Sequence, residues 1–482
     1  MRDSAVIMRL ATACCLTVLA TPLAAQQRPP ATRPESLDVC PGPCEPKRVW
    51  TAIGEGLLIN LLVNRIDVAM NPPDGAHFAV GPDTWASNLQ LGWTWDDNKF
   101  STNMFEHPYH GSTYFNAGRS NGMNFWESAP LTFLGSWSWE FFGEAVRPSL
   151  NDFFMTGFGG IAVGEMLHRA GALIRDNRAT GSRRTWREIS STLVDPVGSF
   201  NRLIFGRTND IGPNPIEHFP NALGLRLSTG ARVVGDSSGG LDNSAAAGTV
   251  LLDIRYGDAF AADYRQPWDV FRMRAQVSFG QTVAGGGLTL LEAVGRLYGS
   301  ELSPVGARNR HQATIWQRYD YRNNPAQVFG GQSIGAGFVS EWGAGGAWSV
   351  RTAAGLDAIL MGAVQGDSAS TTGLRTYDFG PGLGISLAAS LAKNGTERLS
   401  GSYRSDYIHS VSGFVADHYV HMMSLEAQVP IRNNVGIGAA SYLYLRNSRY
   451  PGQPEQNRRY PEFRVYLTWL LDYRPAAVGG SR

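Results

Sequence analysis

Beyond its first 25 residues the chain has no uninterrupted apolar run of about 18, the minimum for a helix that spans a bilayer. With a mean hydropathy of −0.18, this excludes a polytopic helical membrane protein. A charge imbalance is also missing: 42 Lys and Arg stand against 41 Asp and Glu, which leaves no basic surplus for a nucleic-acid partner. Cysteine is scarce. Of the four in 482 residues, Cys14 and Cys15 fall in an apolar leader, and only Cys40-Pro41-Gly42-Pro43-Cys44 remains. That pair has no thiol or imidazole neighbours to complete a metal site. In an oxidising compartment it can close a small disulfide loop, with two free thiols as the alternative.

Glycine and aromatic residues, by contrast, are plentiful (56 Gly, 13 Trp, 17 Tyr, 22 Phe), a balance that suits tightly turned strands with aromatic girdles. From Phe271 to Phe279 every odd position is apolar and every even one polar or charged, the period of a strand with one oily and one wet face. The alternation recurs from Ala222 onward in about twelve segments, the last ending on the aromatic run Phe463–Tyr473. The wet faces carry Arg226, Arg232, Asp253, Arg255, Arg272, Arg274, Arg404, Glu426, Arg464 and Asp472, too many charges for the core of a soluble sandwich. The pattern predicts a mainly β fold: a closed antiparallel transmembrane β-barrel over residues 218–475, with an even strand count and a lumen filled by paired charges. A small pore is the alternative.

Met1–Ala25 has the layout of a cleaved secretory signal, with Arg2 and Arg9, an apolar stretch over Leu10–Leu19 and the small-residue end Leu23-Ala24-Ala25. Export and barrel together predict the outer membrane of a Gram-negative bacterium. The expected partners are outer-membrane lipids and the barrel-insertion machinery that reads an aromatic last strand. Residues 26–49 read as a disordered lead-in and 476–482 as a tail.

Residues 50–210 read as a helical domain that faces the periplasm or plugs the barrel. Trp50–Met70 is predicted helical, with Leu57, Leu58, Leu61, Leu62 and Ile66 on one side. Residues 71–106 read as loops with a short strand near Ser87–Trp93. Asn124 with Glu127, and Ser149 with Asp152, have capping-box spacing, and Pro148 separates helices over Phe125–Glu144 and Leu150–Ile174. On the latter, Thr156, Gly160 and Gly164 form a smooth strip expected to pack against the former.

Candidate chemistry concentrates in this helical part. His107 with His110, and Glu165 with His168, stand three residues apart; each pair could offer two ligands to a metal ion, with Glu140, Glu144 and Asp152 completing the site. The competing reading is a buried polar network, since Pro108 disfavours a regular helix across the first pair and Asp152 already serves as a cap. His110, Ser112 and Ser120 are close enough in sequence to suggest the base and nucleophile of a lipid hydrolase. Arg119 and Arg147 could grip lipid phosphates. Gly331-Gln332-Ser333-Ile334-Gly335 has nucleophile-elbow spacing, but inside a strand it reads as chance.

The run His107-Pro108-Tyr109-His110-Gly111-Ser112-Thr113-Tyr114-Phe115-Asn116-Ala117-Gly118-Arg119-Ser120-Asn121-Gly122 continues through Phe125-Trp126-Glu127-Ser128, Pro148-Ser149-Leu150-Asn151-Asp152 and Gly164-Glu165-Met166-Leu167-His168-Arg169. It resembles a bacterial family known as domain of unknown function 3943, over roughly Ser87–Asp176. The resemblance implies an envelope protein with a helical domain ahead of a barrel, and it implies no activity. The leading expectation is a non-enzymatic envelope barrel without a cofactor, serving structure, small-solute passage or lipid contact. The alternative is a lipid-modifying enzyme or metal-dependent hydrolase using His110, Glu140, Asp152, Glu165 and His168.

Overall fold

A computed structural model describes residues 46–473 except 71–74, 213, 215–219, 243, 261–265, 281–286, 305, 345, 367–375 and 433. The expected signal sequence, Cys40 with Cys44, and the tail lie outside the described residues. The chain divides into two compact units, one running to Pro220 and the other spanning Asn221–Arg474.

In the second unit each predicted alternating segment is a strand. They are β1 (Leu223–Val234), β2 (Ala245–Tyr256), β3 (Phe271–Phe279), β4 (Gly287–Glu301), β5 (Arg310–Asn324), β6 (Gln327–Trp342), β7 (Trp348–Gln365), β8 (Tyr377–Lys393), β9 (Thr396–His409), β10 (Asp417–Arg432), β11 (Val435–Arg449) and β12 (Gln456–Tyr473). Consecutive strands pair antiparallel, and β1 closes on β12 in a register from Leu223 opposite Tyr473 to Val234 opposite Glu462. Closure leaves no free edge. On β12 the outward Phe463, Val465 and Leu467 are exposed, while Glu462, Arg464 and Tyr466 between them are buried inward; Leu383, Ile385 and Leu387 of β8 continue the outer skin. An apolar skin around a polar lumen is the arrangement of an outer-membrane barrel.

The lumen is filled. Asp253 on β2 accepts hydrogen bonds from Arg226 at 2.9 Å and Arg272 at 2.7 Å. Glu426 on β10 is reached by the same Arg226 at 3.1 Å and by Arg274 at 2.9 Å. Arg255 on β2 meets Glu397 on β9 at 2.8 Å, and Arg404 on β9 lies 3.4 Å from Asp320 on β5. The Asp253 pairs join neighbouring strands, but Glu426, Glu397 and Asp320 are reached from strands that are not their neighbours in the wall, so those bonds run through the interior. Toward the β5–β6 turn the filling becomes apolar. Ala326 of that turn clusters with Val234, Met422, Ala440, Tyr442, Tyr444 and Tyr466 of β1, β10, β11 and β12. Because β5 and β6 face β11 and β12 across the ring, the hairpin tip leans over the opening. The side chain of Asp472 lies outside the described set.

The first unit is helical: α1 (Val49–Met70), α2 (Pro82–Leu91), α3 (His107–Ser120), α4 (Phe125–Ser138), α5 (Leu150–Phe154), α6 (Gly160–Ile174), α7 (Gly181–Val194) and α8 (Pro196–Ile204). Wider π-helical turns at Thr102–Glu106, Trp139–Gly143 and Met155–Gly159 precede α3, extend α4 and join α5 to α6. The expected capping box at Asn124 is present: its side chain accepts from the Glu127 amide, and the Glu127 carboxylate accepts from the Asn124 amide, both at 3.0 Å.

Three local expectations are corrected. Residues up to Leu91 in the supposed strand form the end of α2, which starts with Pro82 in its first turn and Asp83 beside it, two features that favour helix initiation. Pro108 does not disrupt the His107–His110 turn: it follows directly on the π-helical turn Thr102–Glu106, whose wider spacing accommodates a residue without an N–H. Most consequential is α1, which faces the opposite way from its hydropathy. Asn60 and Asn64 are buried, whereas Leu57, Leu58, Leu61, Leu62 and Ile66 are exposed. The Asn60 amide donates to the Gly135 carbonyl at 3.1 Å and to Ser138 at 2.7 Å; that of Asn64 donates to the carbonyls of Phe78 at 2.9 Å and Gly143 at 2.7 Å. The Gly143 carbonyl lies at the end of the π-helical extension of α4, where carbonyls run out of partners within the helix.

Candidate functional site

The glycine strip positions the site. Its neighbour is α3, not the aromatic helix α4: a Cβ on Gly111 would lie 2.0 Å from the Thr156 carbonyl oxygen, and one on Gly160 would lie 2.5 Å from the Gly111 carbonyl carbon. Backbone touches backbone. The resulting closeness sets the first turn of α3, with His107, against α5 and the π-helical turn after it, with Asp152 and Thr156. His107 Nε2 is 3.3 Å from Asp152 Oδ2, and its Nδ1 is 3.3 Å from Thr156 Oγ1.

Glu140 enters from the π-helical extension of α4. Its Oε2 accepts the Ser149 amide at 2.7 Å, the bond that a reciprocal capping box would have given to Asp152. Ser149 Oγ does accept from the Asp152 amide, at 3.3 Å, so only half the expected box forms. Asp152 is thereby free to turn its carboxylate toward His107. Donor atoms of His107, Glu140 and Asp152 all lie within 4.8 Å of one another, and all three residues are buried. Asp96 adds a further carboxylate. The main chain bonds Thr94 to Pro148 and Leu150 at 2.8 Å each, and Asp96 accepts from Asn103 at 3.0 Å and also from Asn151.

Burial dominates the electrostatics. Desolvation pushes Glu140 well above the ordinary carboxylate range, reinforced by the charge of Glu144, and does the same to Asp152, reinforced by Asp96, Glu140 and Glu144. Glu144 is raised to about 7 by burial against the opposing hydrogen bond from Trp139 Nε1. His107 is lowered to about 4 by burial, and His110 to about 3 by burial and the nearby His107, so both rings are neutral at pH 7. A neutral imidazole keeps a lone pair for a proton or a metal ion.

The other sequence candidates lie elsewhere. His110 approaches Tyr114 Oη at 2.9 Å and packs edge-on against Trp139. Glu165 accepts from Arg119 and Arg169, each at 2.8 Å, so its carboxylate and the Arg119 guanidinium are committed to each other. His168 stands 3.9 Å from Asp195, which also holds Arg175 and caps α8 through the Gly198 amide. Arg147 donates to the carbonyls of Leu91, Gly92 and Trp93 at 2.7–2.9 Å, clamping the end of α2 and the loop that delivers Asp96. Ser112 and Ser120 bond the carbonyls of Tyr109 and Asn116, not an imidazole. Ser333 lies within β6. Cys40 and Cys44 lie outside the described residues.

Sequence reasoning missed Asp96, whose Trp95-Asp96-Asp97-Asn98 surroundings resemble any polar loop. It also missed a Ser-His-Asp array in the barrel, where His418 Nδ1 is 2.9 Å from Ser448 Oγ and its Nε2 is 3.2 Å from Asp378. Ser448 is fully buried, and Asp378 also accepts the Phe414 amide at 2.8 Å, so the array ties the 410–416 connection to the wall instead of offering a nucleophile.

Residues 92–197 match the family described as Domain of unknown function (DUF3943), a span containing Asp96, His107, Glu140 and Asp152. No curated protein matches the chain. Among solved structures it is similar to an outer membrane channel from Pseudomonas putida F1, at 10% identity over 52% of this chain and 95% of that one, TM-score 0.27. It is also similar to the CymD monoaromatic hydrocarbon channel, at 9% over 53% and 90%, TM-score 0.23, and to the outer membrane channel DcaP of Acinetobacter baumannii, at 8% over 52% and 96%, TM-score 0.23. Likenesses this remote transfer no function.

Proposed function

We propose that the barrel is a sealed membrane anchor and that the protein's role in the envelope is non-enzymatic. The observation that carries this reading is the set of ion pairs spanning the lumen, Arg255 to Glu397 and Arg404 to Asp320, joined to the apolar cluster beneath the leaning β5–β6 tip. Charges locked into pairs across the lumen do not line an open conductive path. Passage of small solutes through the barrel is the competing reading. The refolded full chain, its insertion verified by heat-modifiable migration, is expected to give no steady conductance in planar bilayers and no sugar-driven swelling of proteoliposomes. Ohmic conductance from inserted protein refutes the sealed barrel.

A second reading, lipid contact, is favoured by α1. Its outer face carries Leu57, Leu58, Leu61, Leu62 and Ile66, with Leu61 at 56% exposure, while its asparagines point inward. A helix whose outer face is apolar and whose inner face carries asparagines is matched to hydrocarbon or to the headgroup boundary rather than to water. No described helix is long and apolar enough to cross a membrane. A photo-crosslinking residue at position 61 of the full chain in proteoliposomes is expected to form lipid adducts. Adducts to protein alone count against this reading.

A further inference from the structure

We propose that the helical unit holds a divalent transition-metal cation between His107, Glu140 and Asp152. The three donors come from three separate elements, α3, the extension of α4 and α5, and they meet within 4.8 Å of one another. An ion about 2.0–2.2 Å from each donor requires separations of at most roughly 4 Å, so the widest pair closes by up to about 0.8 Å when the ion binds. Exposure of the three is 8%, 1% and 2%.

A second observation points to a ligand: Oε1 of Glu140 is buried and has no hydrogen-bond partner. Two other fully buried carboxylates of the unit are instead neutralised by cations. Glu165 is held by Arg119 and Arg169, and Asp195 by Arg175. Among the described residues, no Lys or Arg forms an ion pair with Glu140, Glu144 or Asp152. Burying acidic groups without a cation is costly, and a metal ion removes that cost.

The surroundings suit coordination. Ser149 anchors the Glu140 oxygen that is not free, and Thr156 beside His107 Nδ1 leaves Nε2 on the side of Asp152; such outer partners orient ligands around metals. Each of the three π-helical turns adjoins or contains one of these side chains, and such turns recur at functional sites. One imidazole with two carboxylates favours Mn²⁺, Fe²⁺ or Zn²⁺ over Ca²⁺ and Mg²⁺, which prefer oxygen alone.

The test uses the full chain in detergent, stripped with chelator, then equilibrated with excess Mn²⁺ or Zn²⁺, desalted and assayed by elemental mass spectrometry. About one ion per chain is expected. D152N and H107Q are expected to bind roughly 10–100-fold more weakly, while H168Q binds as the parent does. Uptake of no ion by folded, stripped protein overturns the proposal, as does parental affinity in both D152N and H107Q. Should those variants fail to fold, pulsed EPR of Mn²⁺ bound to the unaltered protein decides the matter: coupling to an imidazole nitrogen supports the site, and its absence refutes it.

Discussion

Replacing Glu165 by alanine is expected to unfold the helical unit, at a cost of about 3–5 kcal/mol. Its carboxylate is fully buried and bonded by the Nε atoms of Arg119 and Arg169 at 2.8 Å. Truncation leaves two guanidiniums facing each other in a dry interior. The loss is expected in chemical denaturation of the full chain followed by far-UV circular dichroism at the helix band, while the strand signal persists. The triple substitution Arg119→Met, Glu165→Leu, Arg169→Met is expected to recover most of the stability, because an apolar trio of similar volume has no charge to compensate. An alanine variant as stable as the parent would contradict this account. The result also separates Glu165, a structural residue, from the nearby site that contains Asp152.

Gly160→Ala is expected to do comparable damage by the opposite route, adding one carbon where none fits. The new Cβ would sit 2.5 Å from the Gly111 carbonyl carbon and 2.6 Å from its Cα. Overpacking costs about 1–3 kcal/mol when side chains can shift; here the obstacle is backbone on both sides, so the upper end applies. Separation of α3 from α6 also pulls His107 away from Asp152 and Thr156. Gly54→Ala is the control. Gly54 lies within α1 with nothing within 4 Å of a new Cβ, so that change is expected to stabilise by roughly 0.5–1 kcal/mol. Thermal melts monitored at the helix band distinguish the two; equal midpoints for both variants would refute the close-approach argument.

What could be read in the chain follows the range of the interaction involved. Capping at Asn124 was legible because the donor and acceptor lie three residues apart. The glycine strip was equally visible, yet its partner was not: a smooth surface announces a close approach without saying what approaches, and α3 and α4 were both available. Asp152 shows the same limit. Its spacing from Ser149 predicted a reciprocal cap, and only the arrival of Glu140 at the Ser149 amide released it for His107. Asp96 was invisible for the same reason, since the pairing of Thr94 with Pro148 and Leu150 joins segments more than fifty residues apart.

The barrel was determined by sequence alone, because a period of two is written into each strand and a row of charges on one side with oil on the other has one closed solution in a bilayer. The direction in which α1 faces, and the meeting of His107, Glu140 and Asp152, were decided only in three dimensions. Helical periodicity says which residues share a face; which face turns inward depends on distant acceptors, here the Ser138 hydroxyl and the Gly143 carbonyl, that the asparagine amides reach.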